Sequence, residues 1–430
     1  IKDGKVYLKN KCLDLKTGKL IWEFKDGNNI FNITPAIHDG KVYMSCWHGL
    51  GLGGVCIEAV VYCIDAKTGD LNWTQLGDSI YSKTTADVKG ALEKEQCDLE
   101  DFKALISPAA EPFLELIAKK SHLKTQKRFG KTIQLYIPLY LSNECQNICT
   151  YCGFSMDVKI PRKTLLDHEI IEEAKIIKEM GYDHVLLVTG EANKSVGLDY
   201  FKNAIRLLKP YFSNIALEVQ PMEQRDYEEL IAEGLNTVLV YQETYNKTNY
   251  KIHHPKGKKS NYKYRVETQD RLGQAKIHKM GLGVLIGLED WRIDSVCNAM
   301  HLQYLEKWYW ESKFTVSFPR LRPCAGGVQL KSPISDRQLV QLICAYRLLN
   351  EELELSMSTR ESALFRDNVI KLGITSISAD SKTDPGGYAN PKQNLEQFEI
   401  DDSRSTEEFI AVIKRKGYDP VFKDWDMSLQ

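Results

Sequence analysis

The stretch LSNECQNICTYCGFSMDVKIPRKT, residues 141–164, decides how the chain is read. It sets Cys145, Cys149 and Cys152 in a C-x₃-C-x₂-C pattern, directly after an apolar run, 133–141, that reads as a strand. Cysteine sulfur is what holds iron in iron–sulfur clusters, so three thiolates from one loop can bind three irons of a cubane. No fourth cysteine follows at matching spacing, which leaves one iron open to a small-molecule ligand. Two plainer readings compete. A structural zinc site needs four closed ligands, and the nearest candidate, His168, lies in a helix-like stretch 16 residues on. Ordinary packed cysteines do not usually crowd three into eight residues of polar loop. The cluster reading is preferred.

With the aromatic Tyr151 before the third cysteine, the trio resembles the signature of radical S-adenosylmethionine (SAM) enzymes, which implies a [4Fe–4S] cluster and SAM. The rest of the composition agrees with a soluble enzyme of a reducing, cytoplasmic compartment. Apolar residues at 43% and charged residues at 27% are ordinary for a globular chain. A net charge of −1 gives no reason to expect nucleic acid or anionic membrane as a partner. No apolar run reaches the length of a membrane span, and no signal-peptide pattern opens the chain. Eleven cysteines in 430 residues are too sparse for a disulfide scaffold.

Working outward, residues 1–76 differ from everything after them. DGKVYLKN at Asp3 recurs as DGKVYMSC at Asp39, and CLDLKTGKLIWEF at Cys12 recurs as CIDAKTGDLNWTQ at Cys63. Each unit alternates apolar and polar residues, turns at Lys-Thr-Gly and ends on a tryptophan, Trp22 or Trp73, which predicts short antiparallel strands. The units resemble the blades of quinoprotein-type β-propellers, but a propeller needs several blades to close and fewer than two are present. A glycine-rich insert, 49–54, interrupts the second copy. Cys12, Cys46, Cys56 and Cys63 read as core residues rather than metal ligands, and the segment as a remnant or fusion without activity of its own.

From about Tyr81 the pattern becomes helical, with apolar residues at three- and four-residue steps through 84–94 and 99–130, and Ser107-Pro108 as a helix start. Then strand-like and helix-like segments alternate. The predicted strands are 133–141, 184–190, 215–219, 237–241, 282–287, 314–319, 353–357 and 374–378; amphipathic stretches between them include 167–180, 199–212, 226–233, 294–311 and 336–349. Eight such repeats predict an α/β fold, a (βα)₈ barrel of TIM type with its chemistry at the C-terminal strand ends. The expected organisation is 1–76 partial blades, 77–132 a helical extension, 133–380 the barrel and 381–430 a C-terminal extension.

Candidate residues follow from those strand ends. Thr189-Gly190-Glu191, after the second strand, offers a small turn and a carboxylate for the amino group of SAM. Gln220 after strand three and Tyr241-Gln242-Glu243-Thr244-Tyr245 after strand four can meet ribose hydroxyls or substrate, against plain loop polarity. Arg265 and Arg360 can each clamp a carboxylate bidentately, against a surface ion pair. His253 and His254, in HHPKGKK, either approach a phenolic substrate or are solvated. In GLGVLIGLED, from Gly281, the glycines allow close approach of a ligand, with adenine beside Ile286 or Leu288.

From about Thr84 to Leu429 the chain resembles the radical SAM tyrosine lyases of thiamine biosynthesis, the 2-iminoacetate synthase family. The stretches that carry this are LISPAAEPFLE, LLVTGE, EVQPM, VYQETY, HHPKGKK, GLGVLIGLED, SFPRLRPCAGG, LSMSTRES, SKTDPGGYA and the terminal KDWD, in addition to the cysteine loop. The resemblance implies cleavage of the tyrosine Cα–Cβ bond to 2-iminoacetate and p-cresol, with SAM giving 5′-deoxyadenosine and methionine. It implies the cluster on Cys145, Cys149 and Cys152, the SAM amino group on Glu191 and its carboxylate on Arg265. It places Gln242 or Glu243 near ribose or substrate, and Arg360 on the tyrosine carboxylate. A thiazole synthase to receive the imine, and an electron donor such as flavodoxin or ferredoxin, are the implied partners. A lyase of another aromatic amino acid is the nearest alternative. A related hydrogenase-maturation lyase carries a second, C-terminal cluster, and no cysteine follows Cys344 here. Cys324, in RPCAGG, reads as a packed thiol. An inert barrel serving as a binding module is disfavoured by the intact cysteine trio.

Overall fold

The computed structural model describes residues 73–322, 332–390 and 397–422 in full and, of residues 1–72, the backbone of six strands. The chain divides into two units, Ile1–Ser82 and Lys83–Gln430.

In the first unit, Lys5–Leu8, Lys11–Asp14 and Leu20–Glu23 form one antiparallel sheet, and Ala36–His38, Lys41–Leu50 and Cys56–Asp65 form another. Trp22 lies in a strand as expected. Trp73 does not: it opens a helix, Trp73–Tyr81. From Trp73 onward the apolar positions run Trp73, Leu76, Gly77 and Ile80, a helical spacing, and the helix buries Gly77 and Ile80. The Lys-Thr-Gly turns, most of the glycine-rich insert, Cys324, the terminal KDWD and the side chains of Cys12, Cys46, Cys56 and Cys63 lie outside the described residues.

The second unit opens with capped helices, Thr85–Glu93 and Leu99–Ile106, each with a reciprocal side-chain cap, Thr84 with Asp87 and Asp98 with Asp101. Ser107-Pro108 does start a helix, but a 3₁₀ one, Pro108–Phe113, before the α-helix Leu114–Phe129. Eight parallel strands then close a barrel: β1 Thr132–Ser142, β2 His184–Thr189, β3 Asn214–Glu218, β4 Thr237–Leu239, β5 Lys279–Gly283, β6 Lys313–Ser317, β7 Glu354–Met357 and β8 Ser376–Ser378. Each pairs with the next, and β8 returns to β1 through Ser376↔Gln134 and Ile377↔Leu135. The predicted α/β barrel is the observed fold. A ninth strand, β9 Asp419–Val421, pairs with the first residues of β1 ahead of the point where β2 begins.

The largest departure is β5, which starts three residues before the predicted strand. Lys279, outside the predicted strand, is buried in β5 and its Nζ meets Glu354 of β7 at 2.9 Å. The apolar run after Gly283 is buried too, but outside the sheet, held by single bridges from Val284 to Glu243 and from Ile286 to Arg320. Inside the barrel, Tyr140, Leu186, Val188 and Leu239 pack with Phe154 of the cysteine loop into one apolar layer beneath the site.

Candidate active site

The cysteine loop, 143–163, has no regular structure and must satisfy its polar backbone by other means. Arg162 does much of this: its guanidinium donates to the carbonyls of Asn143, Phe154, Ser155 and Val158. Asn143 closes the base of the loop by donating to the Pro161 carbonyl and accepting from the Lys163 amide. The Ser155 hydroxyl accepts from the Cys149 amide at 3.0 Å.

Two neighbours press on the loop, and each needs glycine to do so. A Cβ on Gly190 would lie 2.2 Å from the Glu144 carbonyl oxygen. A Cβ on Gly257, which has φ +95°, would lie 2.1 Å from Asn147 Oδ1. The HHPKGKK segment is therefore packed against the cysteine loop: the amides of Ile148 and Thr150 donate to the carbonyls of Lys256 and His253.

Cys145, Cys149 and Cys152 are free thiols lining one cavity of about 90 Å³ with Thr189, Gly190 and Glu191. Burial pushes the Cys145 and Cys149 thiols above their ordinary range, so an ion that binds thiolate must draw off their protons. Among the described residues no three His, Cys, Asp or Glu side chains converge as a single ion would require. Three sulfurs around the rim of a cavity suit a cluster whose irons take one sulfur each. The Thr189 hydroxyl, buried in this wall, has no hydrogen-bond partner among the described residues, which leaves a polar atom for a bound molecule.

Four of the charges around this cavity, Glu191, Arg265, Glu243 and Lys259, are paired. Arg265, buried, donates to Glu191 Oε1 at 2.8 Å and to the Tyr241 carbonyl at 2.7 Å, and lies 3.5 Å from Glu243. Asn147 donates to the other Glu191 oxygen at 2.8 Å. Lys259 meets Glu243 at 2.7 Å. Burial opposes ionisation of Glu243, but Lys259 and Arg265 outweigh it and hold the carboxyl below its usual range. Glu243 also has φ +69°, a strained backbone for a residue with a side chain, fixed by the Leu285 amide on its carbonyl.

A second cavity, about 150 Å³, adjoins the first and shares Cys152, Glu218, Tyr241 and Lys259 with it. A cavity of about this size holds a single benzene ring. Its far wall is made by the ends of β6, β7 and β8 and carries Arg360, stacked 3.3 Å from the ring centre of Phe398.

Not every expected residue reaches these cavities. Gln220 turns away and donates to the Val196 carbonyl at 2.6 Å. Gln242 is buried with its Nε2 unpartnered and lines neither cavity. Ile286 and Leu288 are buried elsewhere, while Leu285 lines the larger cavity. The space over Gly281 and Gly283 belongs to Leu239 and Tyr241, not to a ligand. His253 and His254 are buried rather than solvated: His253 meets Glu289 at 2.7 Å, and His254 stands behind Tyr151. The Tyr250 carbonyl can only accept, so His254 Nδ1 carries the proton and Nε2 accepts from the Tyr151 hydroxyl at 2.7 Å. Burial, with Lys259 and Arg265 nearby, pushes His254 down to about 2, so it is neutral. Tyr151 itself lines the larger cavity. Glu218 and Lys259, not singled out from sequence, face both cavities. Glu218 had a signal: it follows Asn214 and Ala216 in two-residue alternation on the inward side of β3.

Residues 139–300 match the radical SAM superfamily, and residues 317–419 match the Biotin and Thiamin Synthesis associated domain. Over 360 residues the chain is 52% identical to the 2-iminoacetate synthase of Escherichia coli (strain K12), covering 84% of this chain and 96% of that protein. The chain belongs to the 2-iminoacetate synthase family. It is thus a radical SAM lyase with a [4Fe–4S] cluster and SAM as cofactors. The Salmonella typhimurium member of the family is 50% identical over the same length, 84% of this chain and 96% of its own. The fold is also that of HydG, a maturase of the [FeFe]-hydrogenase, at 30% identity and a TM-score of 0.78 over 82% of this chain and 79% of that one. No described helix is long and apolar enough to cross a membrane.

Proposed function

We propose that the protein cleaves the Cα–Cβ bond of L-tyrosine to 2-iminoacetate and p-cresol for the thiazole part of thiamine, SAM giving 5′-deoxyadenosine and methionine. One observation carries the reading. Three cluster thiols, the Glu191–Arg265 pair and Arg360, a guanidinium with no acid partner among the described residues, line one continuous pair of cavities.

The cluster belongs on Cys145, Cys149 and Cys152. Glu191 takes the SAM amino group and Arg265 its carboxylate; the two already present an anion and a cation 2.8 Å apart. Glu243, with Lys259, stands beside them toward ribose and substrate. Arg360 takes the tyrosine carboxylate in a planar, bidentate fashion. When bound, the cluster and SAM supply a one-electron cleavage whose radical product takes a hydrogen atom from the substrate amine. The protein binds, orients and excludes water from the reacting groups.

The helical extension 77–132, the barrel 133–380 and the extension 381–430 carry this activity, and 1–76 has no part in the chemistry. Because an imine hydrolyses readily, a thiazole synthase is the receiving partner. Exposed Lys251, Lys256 and Lys258, on the segment hydrogen-bonded to the cysteine loop, suit an acidic electron donor such as flavodoxin or ferredoxin.

The test is anaerobic reconstitution with iron and sulfide, followed by SAM, a reductant and tyrosine. p-Cresol and 5′-deoxyadenosine should appear together, and both should vanish in Cys149→Ala. Deoxyadenosine without p-cresol would leave a radical SAM enzyme with another substrate.

A further inference from the structure

Glu218 has no role so far, and its surroundings are unusual for a half-buried carboxylate. Among the described residues, every other charged side chain that lines either cavity is neutralised nearby. Lys259 has Glu243, Arg265 has Glu191, and Arg322 lies 3.6 Å from Glu361 and 3.4 Å from Asp401. Glu218, at the end of β3, and Arg360, after β7, make no ion pair among the described residues, with each other or with anything else. Both nevertheless line the larger cavity. A lone charge held partly out of water is costly, and two of opposite sign, each half-buried and facing one space, are relieved together by a ligand carrying both complements.

We propose that Glu218 and Arg360 form a clamp for an α-amino-acid zwitterion, Glu218 receiving the ammonium and taking one of its protons while Arg360 holds the carboxylate. The proposal rests on tyrosine being the substrate. The step balances as one proton moved from nitrogen to a carboxylate oxygen, giving a neutral amine and a carboxylic acid. The neutral amine is the form from which a hydrogen atom is to be taken.

The groups facing Glu218 support this role. Tyr241, from the end of β4, stands beside it with its hydroxyl donating to Ser317 at 3.1 Å; Glu243 and Lys259 line both cavities with it, and Tyr136 and Tyr140 of β1 line the larger one. Burial, with Glu243 adding and Arg360 opposing, pushes the Glu218 carboxyl up to about 7, where a base works best near neutral pH.

The experiment titrates reconstituted, SAM-loaded wild type, Glu218→Gln and Arg360→Lys with two ligands, by calorimetry. One is tyrosine; the other is 3-(4-hydroxyphenyl)propionate, which lacks only the amine. Glu218→Gln should weaken tyrosine about 10- to 100-fold, the worth of a charge-assisted contact, and leave the des-amino acid unchanged. Arg360→Lys should weaken both. Turnover by the wild type should rise with pH through an apparent pKa near 7, and that limb should be missing from Glu218→Gln. Unchanged SAM binding and cluster absorbance show that the variants fold. If wild type makes p-cresol while Glu218→Gln binds tyrosine undiminished, the clamp is wrong and the lyase reading stands. A wild type that binds no tyrosine overturns both.

Discussion

The two halves of the active cavity handle charge in opposite ways. Beside the cysteine loop, Glu191, Arg265, Glu243 and Lys259 neutralise one another, and the loop is fixed by Arg162, Asn143 and the close packing of Gly190. In the larger cavity, Glu218 at the end of β3 and Arg360 after β7 face an open space with no ion-pair partner among the described residues. The difference separates two tasks. A half whose charges are already paired is built before any ligand arrives and holds its geometry. A half with unpaired charges stores electrostatic free energy that only the right ligand relieves, which makes it the specificity-determining half.

Breaking the paired half should have the largest effect. Arg265→Met leaves Glu191, 13% exposed, with Asn147 but no counter-charge and should cost up to about 3–5 kcal/mol in urea unfolding, as removal of one member of a buried pair does. Adding Glu191→Gln should recover much of that loss. A single variant as stable as the wild type would show that the pairing is incidental.

The unpaired half predicts the reverse sign. Glu218 is raised from 4.5 to about 7 in the folded protein. As pH rises from about 4.5 to about 7, the unfolded chain ionises while the folded one keeps its proton, so stability falls over that window and stays lower above it. Glu218→Gln should therefore be more stable than tyrosine-free wild type at pH 8, by about 3 kcal/mol at most, with no advantage at pH 4. Equal midpoints at pH 8 would mean that Glu218 is well compensated in the free protein.

How much of this was legible in the sequence depends on how a residue announces itself. The convergence of the cysteine trio on one cavity was, because three cysteines at fixed spacing in one loop have few other uses. The barrel was, because eight alternations of period two and period 3.6 admit few other folds. Trp73 was misplaced because a repeat suggested a strand where the local apolar spacing was helical. Lys279 and Glu218 were missed for different reasons: Lys279 lies outside the strand that the apolar run predicts, and Glu218 lies inside one, where a charged residue reads as outward-facing. Both point inward, and what makes that tolerable comes from distant strands, Glu354 for Lys279 and the cavity wall for Glu218. Gln220, expected at the end of strand three, turns away because the strand ends at 218, so the alternation no longer holds two residues later.

The smallest expected effect concerns His254, which the sequence suggested as catalytic and which lies behind Tyr151 instead. A histidine pushed down to about 2 stays neutral in the folded protein, while its unfolded counterpart takes a proton below about 6.5. Stability is therefore lost as pH falls through 6.5, by about 1.4 kcal/mol between pH 7.5 and 5.5. His301, pushed down to about 4 by burial, adds a similar slope, so the wild-type curve alone does not isolate His254. The difference curve against His254→Gln does, because glutamine can still accept from Tyr151 and donate to the Tyr250 carbonyl. That variant should flatten the acid limb by the stated amount and change tyrosine turnover at pH 7.5 by less than about tenfold, as loss of one neutral hydrogen bond would. An unchanged acid limb with turnover lost would put a protonated His254 back among the reacting groups, and the division between a paired half and an unpaired half would then have to include it.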